Sequence, residues 1–521
     1  MKRKITYEVN GITYRRRVRY IPVRFSFAVI LGLISTLLVI AIVIAMALFV
    51  PYFYIPLIVA HVAVVIQIIA SENNPDFKVP WLVLILGLPV VGFMLYYMFA
   101  QRKLKRKLVN RLNALRGITY KHNDKECFEQ LKKENAVACT QAESICKIAD
   151  THAFAGTKQQ YFALGEDMFK AMCDDLKRAE KFIFMEYFII EQGVFWTTIL
   201  EILKEKVNSG VEVRVVYDDI GCMRTLPGNY VKTLNKAGIK ATVFSRLKGK
   251  ANSEFNNRSH RKITIIDGRI GYTGGINLAD EYINEIERFG HWKDGGIRLE
   301  GQAVAELTKL FLIDYYINVK KPDAPETDYF PDCGRSDEKG VVIPFGDGPR
   351  PIYERRVGKT VIQNILNGAT DYAYITTPYL IIDNELCTAI ENTALRGVTV
   401  KIIVPHKPDK KVIFAMTRSY YPRLLKVGVE IYEYKEGFMH LKSYLADDRF
   451  GMIGTINLDY RSLVHHFENG VWLYDCDCLA DLKMDMEETL EKCVRIYPEN
   501  LKHNMANRFF CSLIKIFAPL M

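Results

Sequence analysis

An eight-position phrase, His-x-Lys-x-x-x-x-Asp, occurs twice in this 521-residue chain and carries groups that can do chemistry. The two copies start 180 residues apart, and each is followed at the same distance by Gly-x-x-Asn. A single copy would be weak evidence, because these residue types recur at such spacings by chance. Two copies in register predict a duplicated site. Its residues are His260, Lys262, Asp267 and Asn277 in the first copy, and His440, Lys442, Asp447 and Asn457 in the second.

Two imidazoles and two ammonium groups suit phosphodiester chemistry without a metal. Because successive residues of a strand point to opposite faces, the His and the Lys of each phrase project together. One imidazole can attack phosphorus to form a phosphohistidine, while the other protonates the leaving alkoxide and later deprotonates the incoming alcohol. The two Lys, with Asn277 and Asn457, are expected to hold the non-bridging oxygens. The residues do not show which His is the nucleophile, and no metal or other cofactor is predicted.

The elements that position these phrases are also duplicated. Each phrase predicts a strand, an acidic turn and a second strand that ends in a small-residue loop. Upstream of each phrase, the sequence predicts a strand, an amphipathic helix and a further strand. This order favours an α/β lobe that is repeated twice. The predicted upstream elements are 181–190, 194–208 and 210–218 in the first lobe, and 372–381, 384–396 and 397–405 in the second.

The chain resembles the phospholipase D superfamily and, within it, the bacterial cardiolipin synthases. The resemblance covers roughly residues 50–521 and rests first on the two phrases. Further segments that match lie outside them, at 81–96, 186–187, 291–294, 377–379 and 516–520. The resemblance implies two pseudo-symmetric lobes of mixed sheets flanked by helices, which share one active site and follow N-terminal transmembrane helices. It also implies that Asp294 orients His260, that Glu468 orients His440, and that His260 is the nucleophile.

The activity that the resemblance implies is transphosphatidylation, in which two phosphatidylglycerol molecules give cardiolipin and glycerol through a covalent phosphohistidine. The expected ligands are therefore phosphatidylglycerol and cardiolipin. A phospholipase D-type hydrolase and a membrane-tethered phosphodiesterase or nuclease are alternatives, because they use the same pair of imidazoles. A protein that only binds lipid or a partner is disfavoured, since both phrases are intact. The oligomeric state is open.

Hydropathy predicts an N-terminal membrane region at 1–101. It contains three apolar runs at 25–50, 52–70 and 79–100, the first long enough to span a bilayer. A basic helical connector is expected at 102–150, and the lobes at 151–325 and 340–521. The apolar C-terminal segment, 508–521, is expected either to pack on the lobes or to lie in the headgroup region.

The net charge of +11 is concentrated next to the predicted membrane region. Residues 1–24 hold eight Lys or Arg against one acid, and residues 102–116 hold seven against none, so the rest of the chain is net negative. This distribution favours anionic lipid headgroups and argues against nucleic acid as a partner, which would require a basic groove around the site. Basic flanks on both sides of the membrane region predict that both flanks are cytoplasmic, which requires an even number of crossings. Because there are three apolar runs, both two and three crossings stay open. A cytoplasmic location of the lobes is favoured. The eleven Cys form no zinc-type pair and are expected to be reduced.

Overall fold

The computed structural model describes most of the chain. The described residues are 3–9, 11–18, 23–49, 54–72, 74–97, 106–115, 118, 120, 122, 124–246, 256–317, 319, 327–501, 514–516 and 518. Of the predicted C-terminal segment 508–521, the structure describes 514–516 and 518, and the start of the connector at 102–105 lies outside the described residues.

The N-terminal part is a basic β-hairpin followed by helices. The two strands of the hairpin are antiparallel, with Arg3 opposite Val18. The helix over 136–149 begins after Asn135, whose side-chain oxygen accepts hydrogen bonds from the backbone N–H groups of Val137 and Ala138 and so caps it. The elements are β1 Arg3–Val9, β2 Ile12–Val18, α1 Val23–Phe49, α2 Tyr54–Ala70, α3 Pro75–Gly87, α4 Pro89–Leu95, α5 Arg106–Leu115, α6 Lys125–Glu134 and α7 Ala136–Ala149.

The three predicted apolar runs fall on four helices. The runs at 25–50 and 52–70 coincide with α1 and α2, while the run at 79–100 is divided between α3 and α4, which Leu88 separates. Within the described part of the chain, no helix combines the length and the apolarity needed to cross a membrane.

The first lobe is built on a seven-stranded mixed sheet in the order β4-β11-β9-β8-β5-β6-β7. Its central strand β8, Lys-Ile-Thr-Ile-Ile, is buried along its whole length. The elements are β3 Phe154–Ala155, β4 Lys158–Phe162, α8 Gly165–Arg178, β5 Phe182–Tyr187, α9 Val194–Asn208, β6 Glu212–Asp218, α10 Tyr230–Lys236, β7 Lys240–Phe244, β8 Lys262–Ile266, β9 Ile270–Gly274, β10 His291–Lys293, β11 Gly296–Glu300 and α11 Val304–Tyr316.

The second lobe is built on a nine-stranded sheet in the order β22-β16-β15-β13-β18-β19-β21-β12-β3. Its last strand, β3, comes from the start of the first lobe, just before β4, and pairs with β12. The elements are β12 Val341–Asp347, α12 Val357–Gly368, β13 Tyr372–Thr376, β14 Leu380–Ile381, α13 Asn384–Leu395, β15 Thr399–Pro405, α14 Lys411–Arg418, α15 Tyr421–Leu425, β16 Glu430–Tyr434, β17 Gly437–Met439, β18 Ser443–Ala446, β19 Phe450–Gly454, β20 Leu458–Asp459, β21 Glu468–Tyr474, α16 Cys478–Glu491 and β22 Cys493–Ile496.

The two sheets repeat one topology. The run β9-β8-β5-β6-β7 in the first sheet has its counterpart in β19-β18-β13-β15-β16 in the second. In both runs the hairpin strand that follows the His-x-Lys pair is antiparallel to its two neighbours, and the next pair is parallel. The predicted helices at 194–208 and 384–396 correspond to α9 and α13. The prediction of a mixed α/β fold with helices on its sheets is confirmed.

The two lobes share a continuous apolar core. One cluster of buried side chains includes Phe184 and Phe311 from the first lobe and Ile343 and Trp472 from the second. Two short parallel pairings also join the lobes, β10 with β17 and Ser259 with Phe467. The ends of the central strands β8 and β18 that carry the His-x-Lys pairs are therefore fixed against each other.

Candidate active site

Each catalytic His candidate lies just before a central strand and is fixed by backbone contacts to the other lobe. His260 N donates to the carbonyl of Phe467 at 2.8 Å, and His440 N donates to the carbonyl of Lys293 at 2.8 Å. Both imidazoles are largely buried, with 7% of His260 and 8% of His440 exposed. The structure therefore positions each imidazole by the strand that follows it and by a segment of the opposite lobe.

The carboxylates that contact the two imidazoles are exchanged between the lobes. His260 Nδ1 lies 2.9 Å from Glu468 Oε2, and His440 Nδ1 lies 2.5 Å from Asp294 Oδ2. The expected pairing of Asp294 with His260 and of Glu468 with His440 is therefore wrong. The reason is the parallel pairings between the lobes, which place Phe467 beside Ser259 and Lys293 beside Met439. Glu468 follows Phe467 and Asp294 follows Lys293, so each carboxylate arrives beside the imidazole of the opposite lobe.

Glu468 is the centre of a buried hydrogen-bond network. Its Oε2 accepts from His260 and from the Thr455 hydroxyl, while its Oε1 accepts from the Ser462 hydroxyl at 2.7 Å. His466 Nδ1 lies 3.5 Å from the same Oε1. Burial by itself would raise the pKa of Glu468, but its interaction with His260 and its contact with His466 hold that pKa well below its usual range. Glu468 is therefore an ionised acceptor at neutral pH.

The proton of His260 follows from this acceptor. An ionised carboxylate has no proton to donate, so Nδ1 of His260 must carry the hydrogen of their contact. Nε2 is then left with a free lone pair. Burial lowers the pKa of His260 to about 3, which keeps the imidazole neutral above that pH. The arrangement gives His260 the state that a nucleophile requires.

His440 has a different environment. Burial lowers its pKa to about 4, and the charge of Lys442 acts in the same direction. Its Nδ1 lies near two groups, Asp294 Oδ2 and the ammonium of Lys442 at 2.7 Å. One accepts a proton and the other donates one, so a single Nδ1 cannot satisfy both. The proton of His440 is therefore set by a balance between Asp294 and Lys442.

The two Lys of the phrases are buried beside their His. Lys262 Nζ donates to the carbonyl of His260 at 2.7 Å, and Lys442 Nζ donates to the carbonyl of His440. Burial lowers the pKa of Lys262 to about 7 and the pKa of Lys442 to about 8. Each ammonium is therefore held at the site in a state that the binding of an anion would stabilise.

The acidic residues that end the two phrases lie elsewhere. The side chain of Asp267 accepts from the backbone N–H groups of Glu180, Lys181 and Phe182 at 2.7–2.8 Å. Asp447 accepts in the same way from residues 370–372. The expectation that these two Asp are catalytic is therefore wrong: five residues of extended chain put each about 16 Å from its Lys. They fix the turn after β8 or β18 to the start of β5 or β13.

The two Asn of the small-residue loops differ. The amide of Asn277 is bound within its own lobe, since its Oδ1 accepts from Ile189 N at 3.0 Å and its Nδ2 donates to the Tyr282 hydroxyl at 2.7 Å. The Oδ1 atom of Asn457 is buried and has no hydrogen-bond partner among the described residues. A role in holding phosphate oxygens stays a prediction for both.

Several residues of the site are not predicted by the sequence motifs. Aromatic rings surround the second imidazole, with Tyr282, Trp292 and Phe438 at 5.3–5.9 Å between ring centroids. A third imidazole, His466, lies 5.4 Å from the ring of His260. The sequence contained a signal for it: His466 stands two positions before Glu468, and residues two apart in extended chain share a face.

The cluster of His260, His466 and Glu468 has the composition of a metal site. One ligand atom from each lies within 4.8 Å of the others. Two imidazoles and one carboxylate are a donor set that Zn²⁺ accepts. A metal held there would occupy the imidazole that is otherwise prepared for attack on phosphorus. The chemistry described above therefore makes no use of a metal at this cluster.

Comparisons with known proteins agree with the geometry. The family described as "Cardiolipin synthase, PLD-like domain" matches residues 172–287 and 362–490, and the family "Phospholipase_D-nuclease N-terminal" matches residues 59–101. A cardiolipin synthase of Geobacillus sp. is 32% identical over 89% of this chain and 93% of its own length. A cardiolipin synthase 2 of Bacillus cereus is 33% identical over 87% and 88%.

Two further matches extend the comparison. A protein of Streptococcus mutans named only as uncharacterized is 42% identical over 88% of this chain and 99% of its own length. Among solved structures, a phosphatidylserine synthase of Haemophilus influenzae superposes with a TM-score of 0.55 at 16% identity, covering 74% of this chain and 98% of that chain. At that identity, the likeness concerns the fold alone.

Proposed function

We propose that this chain, which belongs to the family of phospholipase D-like cardiolipin synthases, transfers a phosphatidyl group from one phosphatidylglycerol to another and releases glycerol. The observation that carries the proposal is the pair of buried imidazoles, each of which is hydrogen-bonded to a carboxylate and lies beside a Lys. Two such groups suffice for a two-step displacement at phosphorus, because one forms the covalent bond and the other moves protons.

In the first step, Nε2 of His260 attacks the phosphorus of phosphatidylglycerol. The bond from phosphorus to the glycerol oxygen breaks, and the leaving oxygen takes a proton from His440. Lys262 and Lys442 neutralise the charge on the non-bridging oxygens. A bound phosphodiester also adds a negative charge beside His440. This charge raises the pKa of His440 above its value in the empty site and so favours the protonated imidazole. The product of this step is a phosphatidylhistidine and free glycerol.

In the second step, the hydroxyl of a second phosphatidylglycerol gives its proton to His440 and attacks the phosphorus. The bond to His260 breaks, cardiolipin leaves, and both imidazoles return to their starting states. The covalent intermediate conserves the phosphodiester, so no activated donor is required. Water in place of the second lipid would give phosphatidic acid by the same route.

The assignment of His260 as the nucleophile is supported by the difference between the two imidazoles. Glu468 fixes the hydrogen of His260 on Nδ1, so Nε2 has a permanent lone pair. The Nδ1 proton of His440 is contested between Asp294 and Lys442, which suits a group that gives and takes a proton in each cycle.

The N-terminal helices supply the proposed contact with the bilayer at the cell membrane. Large aliphatic side chains on α2 and α3 are exposed, with 67% of Ile55 and 64% of Leu86 accessible. Apolar surface of this extent on neighbouring helices marks a surface that another apolar phase covers. The basic segments before α1 and in α5 add attraction to anionic headgroups. The proposal also places the two lobes on the cytoplasmic side of the membrane.

The test is product analysis with labelled phosphatidylglycerol in an uncharged detergent. We expect cardiolipin and glycerol in equal amounts, without CTP-activated lipid and without divalent metal. Phosphatidic acid as the only lipid product would replace the synthase by a hydrolase, and loss of product with EDTA would contradict the metal-free chemistry. A His260→Ala chain serves as the control for contaminating activity.

Two truncations test the role of the helices. A chain that starts near Gln101 keeps both lobes, and we expect it to convert detergent-dispersed short-chain phosphatidylglycerol better than liposomes, because it lacks the contact that concentrates it at the bilayer. A chain that starts near Tyr52 keeps α2–α4. Full activity of this chain on liposomes would show that α1 is dispensable, whereas loss of activity in a folded, membrane-bound protein would place α1 in the lipid path.

A further inference from the structure

A cavity of about 410 Å³ lies where the N-terminal helices meet the second lobe. One wall comes from the start of α3 and the residues before it, including Phe77. A second wall comes from the segment 350–360, which leads into α12, and a third from Tyr460, Leu463 and Val464. The cavity therefore lies between the proposed membrane contact and the segment that joins Asn457 to Glu468.

Three arginines line this cavity without a carboxylate in contact. Arg350 Nε donates to the carbonyl of Glu354 at 3.0 Å, and Arg356 Nη1 donates to the carbonyl of Val464 at 2.9 Å. Arg355 is exposed. Within the described ranges, none of the three forms an ion pair. Burial lowers the pKa of Arg356, an effect that the charge of Asp347 opposes, and the carbonyl of Val464 replaces only part of the hydration that its guanidinium has lost.

The acids at the other side of the cavity are already bound. Asp383 and Glu385 both accept from Lys359, and the amide of Asn74 donates to Asp383 at 3.1 Å and to Glu385 at 3.4 Å. Glu72 also lines the cavity and is exposed. Four cations, Lys359 and the three arginines, therefore face three acids, which leaves the cavity a net charge of +1 on the side of the arginines.

The apolar surroundings indicate what kind of anion would fit. Pro75 lines the cavity, and Val79, Val83 and Leu86, which follow it at i+4, i+8 and i+11 on the same face of α3, expose 46–64% of their surface. At a rise of 1.5 Å per residue, the eleven steps from Pro75 to Leu86 cover about 16 Å, a length over which an acyl chain can lie. A charged head in the cavity and an apolar tail along α3 match an amphipathic anion better than a free ion.

We propose that this cavity binds the phosphate headgroup of an anionic phospholipid, separately from the two lipids that react. The inference rests on the proposed function only in taking a lipid bilayer as the surroundings of the enzyme. The phosphate contacts Arg350, Arg355 and Arg356, since a guanidinium offers the planar pair of donors that phosphate accepts. The volume is sufficient for a glycerophosphate group, and the acyl chains leave along α3.

The contacts around the cavity connect it to the active site. The Tyr460 hydroxyl donates to Asp76 at 3.0 Å, and the Phe77 ring packs edge-on against Tyr460 at 5.4 Å and His465 at 6.3 Å. Arg356 holds the carbonyl of Val464, four residues before Glu468. A lipid bound here stabilises the segment that carries His466 and Glu468 to His260.

The experiment measures lipid retained by the full-length His260→Ala protein, which does not turn over, in uncharged detergent by native mass spectrometry. Phosphatidic acid is the probe, because it has no hydroxyl acceptor and no leaving alcohol. We expect Arg350→Gln/Arg355→Gln to lose one retained lipid or to weaken its apparent Kd at least fivefold. The control Arg269→Gln/Lys236→Gln removes two exposed cations from the first lobe and should change the apparent Kd less than twofold.

Two further arms decide between sources and sites. Inorganic phosphate at the same concentration should not displace the lipid; displacement would make this a free-phosphate site and overturn the lipid assignment. Lys262→Met/Lys442→Met should lose the lipid of the active site and keep this one. Equal retention by the arginine variant and the control overturns the inference, and Arg355→Gln alone repeats the test if the double variant unfolds. Because turnover is absent throughout, failure of cardiolipin formation in the wild-type protein would sink the proposed function without touching this result.

Discussion

The two half-sites use the same four residue types and differ in how each imidazole is held. His260 has one partner for Nδ1, the carboxylate of Glu468, which is itself fixed by the hydroxyls of Thr455 and Ser462. His440 has two partners for Nδ1, Asp294 and Lys442.

This difference teaches how a duplicated motif can serve two roles. A fixed hydrogen makes a constant nucleophile, and a contested one makes a group whose protonation responds to the charge of the bound phosphodiester. The sequence motifs are nearly symmetric, so the asymmetry comes from the residues that each half-site receives from the opposite lobe. Each of the following predictions tests one aspect of that asymmetry.

The largest effect is expected from removing the imidazoles. His260→Ala should abolish both turnover and the covalent intermediate. His440→Ala should lower turnover by about 10³-fold or more but still form the intermediate slowly, because its nucleophile is intact. Rapid-quench labelling with radioactive phosphatidylglycerol measures both. A labelled peptide that contains His440 in the wild-type protein would reverse the roles of the two half-sites.

The exchanged carboxylates predict the next largest effect. Glu468→Gln should slow formation of the intermediate, because the hydrogen of His260 is no longer fixed on Nδ1, whereas Asp294→Asn should mainly slow its breakdown. We expect losses of about 10²–10⁴-fold for each, comparable to the removal of a residue that orients a catalytic His. Single-turnover kinetics separate the two steps. The opposite assignment of steps would restore the pairing within each lobe.

The pH dependence should distinguish the two Lys. Their pKa values are lowered, so each loses its positive charge as pH rises through about 7 for Lys262 and about 8 for Lys442. We expect kcat/KM to fall severalfold between pH 7 and pH 9, since the neutral amine no longer attracts the phosphodiester. In Lys262→Arg, the fall should begin about one pH unit later, and in Lys442→Arg it should begin where it does in the wild type. Equal profiles for the two variants would show that the half-sites titrate alike.

The smallest effect on catalysis is expected outside the site, where the halves are most alike. Asp267→Asn and Asp447→Asn should keep kcat within about threefold and lower the free energy of unfolding by about 1–2 kcal/mol, because each loses charge-assisted bonds to backbone N–H groups. The pKa of Asp447 is held low by those N–H groups despite burial, so its contribution is present above the unfolded pKa and is lost as pH falls through the folded one. Thermal unfolding in detergent at pH 7 and at about pH 2, well below the unfolded pKa, measures this. A loss of kcat above a hundredfold would return the two Asp to the catalytic set.

Much of the architecture was predictable because it rests on local pattern. The periods of α9 and α13, the buried strands, and the side-by-side projection of His260 and Lys262 follow from residue order within one lobe. The partner of each imidazole does not, because it depends on how two sheets face each other. The prediction of a catalytic Asp267 rested on its place in the motif. Strand geometry instead puts Asp267 at the opposite end of β8 from Lys262. His466 was within reach of the same alternation that placed the Lys.

The exchange of carboxylates also has a consequence for biosynthesis. Glu468 lies 208 residues after His260, so a ribosome that adds about 5–20 residues per second needs roughly 10–40 s to reach it. During that interval, the imidazole of His260 has no carboxylate to fix its tautomer, so the site is not yet assembled. Under the proposed function, a nascent chain that meets a phospholipid membrane therefore cannot form the covalent intermediate until the second lobe docks.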